Sequence, residues 1–122
     1  MKILVIEDNE PFALMLCCAL REAGYDADSA LSGKAGIKNS LTYLPDLILL
    51  DYELGDMSGY DAALGIRCMR ATSGIPFILL SSLAGDPMLA EGFRRLPNCR
   101  GALAKTQPLD QIIAVVRKLL HA

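Results

Sequence analysis

The sequence predicts an α/β fold: a doubly wound, five-stranded parallel sheet with helices on both faces. Three observations lead there. Strand and helix signals alternate five times along the chain, which implies parallel strands joined by crossover helices. Two strand segments, Leu47–Leu50 and Pro76–Leu80, are apolar on successive residues, as strands covered on both faces are. The 122 residues, 52% of them hydrophobic, suffice for one domain over 1–122 and not for two. Right-handed crossovers then restrict the topology to a doubly wound sheet.

The elements follow in order. Ile3–Ile6 is a short run of leucine and β-branched residues, a buried-strand signal. Asp8 or Asn9 can cap the next helix, Pro11 sits near its first turn, and Gly24 stops it after Ala23. Tyr25–Ala30 reads as a weaker strand. Ser32 caps a second helix that ends before Pro45. The Leu47–Leu50 strand leads into a loop with Gly55, Ser58 and Gly59, then a helix over Tyr60–Arg70. After the Pro76–Leu80 strand, Asp86-Pro87 is a cap-plus-proline helix start. Gly101–Ala104 is the last strand. Pro108 opens the last helix, where Leu109, Ile112, Ile113, Val116, Leu119 and Leu120 recur at helical spacing.

Composition removes several function classes. The net charge is -2 and no long basic run occurs, which argues against nucleic-acid binding by this domain. The four cysteines, Cys17, Cys18, Cys68 and Cys99, form no C-x-x-C pair, and His121 is the single histidine, so a structural zinc site is not expected. Cys17 and Cys18 fall in an apolar helical run and read as small, reduced, buried hydrophobes, as in a reducing compartment. The apolar run before Glu7 is too short for a signal peptide. The longest apolar stretch, Phe12–Leu20, is nine residues and cannot span a bilayer. A cytoplasmic protein with no membrane contact is the expectation.

In doubly wound sheets, ligands bind beyond the carboxyl ends of the strands, where the winding reverses. Glu7-Asp8, Asp51, Ser81 and Lys105 each follow a strand, so all reach that edge. Each string alone has an ordinary reading as a helix cap, a solvated strand end or loop composition. Their joint placement on one edge carries the assignment. Three neighbouring carboxylates raise one another's pKa unless a cation intervenes, and a hard divalent ion such as Mg²⁺ resolves the conflict. Asp51 is the candidate nucleophile, because a carboxylate can attack phosphorus and form an acyl phosphate. Charge on the transferring oxygens would be met by the metal, by Lys105, by the Ser81 hydroxyl and by the Ser82 backbone N–H.

With these residues in place, the whole chain resembles the response regulator receiver domain of two-component signalling, a (βα)5 flavodoxin-like fold. Ile3-Leu4-Val5-Ile6-Glu7-Asp8-Asn9 is similar to that family's opening strand and acidic pair, and Leu47–Asp51 to its phosphoacceptor strand. Met57-Ser58-Gly59-Tyr60 is similar to the following turn, Pro76–Ser82 to the switch strand and Gly101–Lys105 to the lysine strand. The resemblance implies that Asp51 accepts a phosphoryl group from a phosphohistidine on a histidine kinase or histidine phosphotransfer protein. It implies that Asp8, Asp51 and the Glu53 backbone carbonyl ligate Mg²⁺, with Glu7 acting mostly through water. It further implies that Ser81 swings toward the phosphoryl group and that Lys105 pairs with Asp51. The product would alter contacts with a downstream effector protein or domain, and a homodimer on phosphorylation is part of that expectation.

The chain departs from the family pattern at identifiable places. Lys105 is followed by Thr106-Gln107-Pro108, where family members usually carry proline directly. Ala102 stands where an aromatic usually couples to the switch hydroxyl, and Gly55 replaces a common proline. The first helix is apolar nearly all round, with Leu14 and Met15 beyond what one buried stripe needs, which suggests a docking surface for a partner's helices. Two other functions fit parts of the pattern. A Mg²⁺-dependent phosphatase would use Asp51 as nucleophile and Glu53 as the acid two residues on, but 122 residues leave no cap domain. A receiver-like module that is never phosphorylated would not need Glu7, Asp8, Asp51, Ser81 and Lys105 together.

Overall fold

A computed structural model describes residues 1–82 and 95–121. Five strands form one parallel sheet: β1 (Lys2–Ile6), β2 (Asp26–Ala30), β3 (Leu47–Asp51), β4 (Phe77–Ser81) and β5 (Cys99–Ala104). Their order is β2-β1-β3-β4-β5, so the winding reverses between β1 and β3. The described helices are α1 (Glu10–Glu22), α2 (Gly33–Tyr43), α3 (Gly59–Arg67) and α4 (Leu109–His121). The helix start expected at Asp86-Pro87 lies outside the described residues.

Alternation along the strands sorts the core into two layers. Ile3, Val5, Leu47, Leu49, Ile78 and Leu80 point to one face and pack on α1 and α4. Leu4, Ile6, Ile48, Leu50, Phe77 and Leu79 point to the other and pack on α2 and α3. Every residue of β3 and β4 is buried, as the unbroken apolar runs require. On α1, Ala13, Leu16, Cys17 and Leu20 form the buried stripe at helical spacing. Gly36 lets α2 close on β1: a Cβ there would stand 2.6 Å from Ile6 Cδ1.

The structure departs from expectation at the end of α3, at the start of β5 and at Cys18. α3 stops at Arg67, three residues early, because the buried Thr72 hydroxyl donates to the Ile66 carbonyl at 2.7 Å and turns the chain away. β5 begins at Cys99 rather than Gly101. Its register against β4 shifts between Phe77 and Leu79, and Gly101 there has φ +138°. Cys18 is exposed, whereas Cys17 is buried, because consecutive residues on a helix face different sides. Both sheet edges are polar or irregular: β2 exposes Asp26 and Asp28, and β5 carries the glycine bulge. Among the described residues, no helix is long and apolar enough to cross a membrane.

Candidate functional site

The site lies at the carboxyl ends of β1, β3 and β4 and just past β5, at the winding reversal. Strand register sets its composition. Ile6 pairs with Leu50, Asp51 with Leu80, and Ser81 with Ala104, so Glu7, Asp51, Ser81 and Lys105 emerge side by side. Backbone hydrogen bonds continue past the strands, from Glu7 N to the Ala30 carbonyl (3.0 Å) and from Lys105 N to the Ser81 carbonyl (3.2 Å).

Asn9 caps α1: its side-chain oxygen accepts from Phe12 N at 3.0 Å. Of the two capping candidates, packing selects Asn9, and this leaves the Asp8 carboxylate exposed beside the cleft. Glu7 turns inward and is 1% exposed, and its Oε1 also accepts from Asn9 N at 3.1 Å. Glu7, Asp8 and Asp51 each offer an oxygen within 4.8 Å of the others. Lys105 Nζ lies 2.7 Å from Glu7 Oε1 and 3.4 Å from Asp51 Oδ2. The lysine therefore leans on Glu7 more closely than on Asp51.

Charge is unbalanced in this arrangement. Three ionised carboxylates and one ammonium leave a deficit of two positive charges. Burial and the neighbouring Glu7 push the Asp51 carboxyl up to about 7, against the opposing pull of Lys105. Burial alone would lower the Lys105 pKa. The Glu7 hydrogen bond and the Asp51 charge outweigh it and raise the ammonium above its ordinary value. Glu7 Oε2 is buried with no hydrogen-bond partner. An orphaned carboxylate oxygen in an acid-rich, oxygen-only cluster fits a hard divalent cation such as Mg²⁺. Glu7, Asp8 and Asp51 could hold it.

The loop after Asp51 is tightly built. Tyr52 N donates to the Leu80 carbonyl (3.2 Å), Leu54 N to the Met57 carbonyl (3.2 Å), and Gly59 N to the Tyr52 carbonyl (2.5 Å). Glu53 pairs with Ser58 as an isolated antiparallel bridge, which holds its backbone at the cleft. A Cβ at Gly59 would run into the Asp51 carbonyl, so only glycine fits there. The Asp56 carboxylate accepts from Gly33 N (2.8 Å) and Lys34 N (2.9 Å), tying the loop to the start of α2. These two bonds hold the exposed Asp56 carboxyl below the usual carboxylate range.

The site residues expected from sequence all line one cleft of about 510 Å³: Glu7, Asp8, Asp51, Glu53, Ser81, Ser82 and Lys105. Ser81 is buried and Ser82 exposed at its rim. Ala102 is exposed on β5, paired with Leu79, and brings no ring to the cleft. Sequence reasoning missed three contributors. Asp56 locks the loop, Phe12 places its ring face 5.1 Å from Lys105 Nζ, and Gln107 closes the turn after Lys105. No local signal marks Phe12, which lies in the first turn of α1, because its partner Lys105 is remote in sequence.

Comparison with known proteins gives a consistent picture. The family model described as response regulator receiver domain matches residues 3–117. The transcriptional regulatory protein CusR of Escherichia coli is 33% identical over 122 residues, covering 99% of this chain and 52% of CusR. The chain thus spans about half the length of the curated relatives it matches. A putative response regulator from Chloroflexus aurantiacus superposes with a TM-score of 0.87 at 26% identity, covering 99% of this chain and 98% of that one. The receiver domain of the sensor histidine kinase PA1611 from Pseudomonas aeruginosa has a TM-score of 0.86 at 23% identity, with 99% and 98% covered.

Proposed function

Because the chain belongs to the response regulator receiver domain family, we propose that Asp51 is its phosphoacceptor and that residues 1–122 act as one phosphorylation-dependent switch. The observation that carries this reading is the buried Asp51 carboxylate held between Glu7, Asp8 and Lys105 at the winding reversal. In the forward step an Asp51 oxygen bonds to phosphorus. The phosphorus–nitrogen bond to the donor histidine breaks, and the departing imidazole takes up a proton.

The residues divide the work. Glu7, Asp8 and Asp51, with the Glu53 backbone carbonyl, would hold Mg²⁺, which when bound neutralises charge on a phosphoryl oxygen. The PA1611 receiver domain carries a magnesium ion in its active-site cleft, which supports the same cofactor here. Lys105 supplies a point charge to a second oxygen. The Ser81 hydroxyl and the Ser82 backbone N–H serve the third.

The phosphodonor is a histidine kinase or a histidine phosphotransfer protein, met on α1. Leu14 and Met15 are 53% and 52% exposed on that helix, whose N-cap Asn9 lines the cleft. Output passes to an effector protein or domain, with a phosphorylation-dependent homodimer as one form. Direct nucleic-acid and membrane contacts are not part of the role, and the setting is the cytoplasm.

Incubation with Mg²⁺ and acetyl phosphate tests the reading. Stoichiometric incorporation lost in Asp51→Asn is the expected result, and no Asp51-dependent incorporation would overturn it. Glu53 lines the same cleft, so steady turnover of a small phosphate ester would point to the phosphatase instead.

A further inference from the structure

Lys105 reaches the cleft from a turn that lacks the proline expected after it, so something else must aim it. The turn is closed by Gln107 twice over. Gln107 N donates to the Ala104 carbonyl at 3.1 Å, and Ala104 N donates back to the Gln107 side-chain oxygen at 3.1 Å. This reciprocal pair brackets Lys105 and Thr106 and sets the direction in which the lysine leaves β5. A Gln107 Nε2 contact to Gln111 Oε1 at 3.4 Å ties the amide to the first turn of α4.

The far end of the side chain is held separately. Its Nζ lies over the Phe12 ring, 5.1 Å from the centroid, while donating to Glu7 Oε1 at 2.7 Å. A ring face attracts an ammonium, and more strongly where water is partly excluded. The Lys105 side chain is 22% exposed, so without the ring it could turn outward to solvent. Phe12 is half-buried in the first turn of α1, packed on the core, and its ring cannot follow the lysine out.

We propose that Phe12 and Gln107 are positioning residues for Lys105: Gln107 fixes the turn from which the lysine leaves, and the Phe12 ring holds its ammonium over the Asp51 cleft. The inference rests on the reading of Asp51 as phosphoacceptor. It extends that reading to two residues whose types are neither acidic nor basic. It also explains how a receiver with Thr106 after its lysine keeps the ammonium in place.

The test uses the whole chain with beryllium chloride, sodium fluoride and Mg²⁺, which together form a phosphoryl mimic. Small probes avoid any partner that also touches α1. Phe12→Leu keeps apolar bulk and removes the ring. Phe12→Tyr keeps the ring face. Gln107→Ala removes the acceptor for Ala104 N, and Gln107→Glu retains an oxygen at the same reach. Phe12→Leu and Gln107→Ala are expected to weaken uptake about three- to tenfold, with Phe12→Tyr and Gln107→Glu close to wild type. In a Lys105→Met background the Phe12→Leu change should have no further effect, since the group it positions is gone.

A second readout needs no ligand. In NMR spectra of the free protein, the Lys105 Hε protons should carry an upfield ring-current shift that Phe12→Leu abolishes and Phe12→Tyr retains. Unchanged uptake in Phe12→Leu, or additive losses in the Lys105→Met background, overturns the proposal. An absent ring-current shift in the wild type does so as well. Failure of the wild type to take up the mimic while Asp51→Asn behaves identically overturns the phosphoacceptor reading instead, and the ring-current result still decides whether Phe12 holds Lys105.

Discussion

Replacing Asp51 by asparagine should stabilise the metal-free protein. The amide has the shape of the carboxyl and none of its charge. In the folded chain burial and Glu7 push the Asp51 carboxyl from 3.8 up to about 7. At pH 8 the charge is therefore carried at a cost approaching about 4 kcal/mol, at about 1.4 kcal/mol per tenfold. Solvent at the open mouth of the cleft screens part of this, and the amide gives up the 3.4 Å contact to Lys105. A net gain of about 1–2 kcal/mol remains, or a Tm rise of about 3–10 °C for a chain of this length.

The sign follows from proton counting. Between about pH 4 and 7 the folded wild type holds a proton that the unfolded chain has released, so its stability falls as pH rises. The variant lacks that slope. The gap should be absent near pH 4, open through pH 7 and level off above it. Thermal unfolding in EDTA from pH 4 to 8 measures it. Mg²⁺ should then stabilise the wild type selectively, by about 2.7 kcal/mol at a hundredfold excess over Kd, which more than offsets the gap. A variant no more stable than wild type in EDTA at pH 8, a gap that ignores pH, or equal Mg²⁺ stabilisation of both proteins would refute the charge argument.

Other perturbations probe the supporting structure. Gly59→Ala forces a Cβ onto the Asp51 carbonyl and should cost about 1–3 kcal/mol in urea unfolding, with weakened Mg²⁺ binding as the backbone shifts. Asn9→Ala removes the α1 cap and should cost about 1 kcal/mol by the same measurement. Asp56 contributes stability that is full above the ordinary carboxylate pKa and is lost as pH falls through its depressed value. Asp56→Asn should therefore lose wild type's extra dependence on pH at the acid end of an unfolding series. Met15→Glu alters an exposed position on α1, so it should slow transfer from a phosphohistidine protein while leaving acetyl phosphate labelling intact.

Much of this architecture is legible in the chain because its signals are local. β3 and β4 announce themselves by apolar residues on both faces, and Ser32 and Gly24 mark helix ends by their own chemistry. The site residues are legible for a related reason: each charge ends an apolar run, and the topology brings those ends together. What local pattern cannot resolve depends on distant partners. Asp8 and Asn9 are equally good caps until Glu7 packs inward and the α1 axis is set. Thr72 shortens α3 by bonding six residues back, to Ile66. The aim of Lys105 depends on Phe12, at the opposite end of the chain. Cys99-Arg100 does not read as strand, because an edge strand with a bulge needs neither alternation nor continuous apolarity.

The two sheet margins bear on how copies of this chain can associate. Asp26 and Asp28 on β2 would bring like charges together if two β2 edges met, and the Gly101 bulge twists β5 out of the flat register that strand-to-strand extension requires. Self-assembly by lengthening the sheet is thus disfavoured on both sides, and crowding the protein should not seed fibrous aggregates from these borders. A homodimer built from helix surfaces would instead form and dissolve without breaking a backbone ladder.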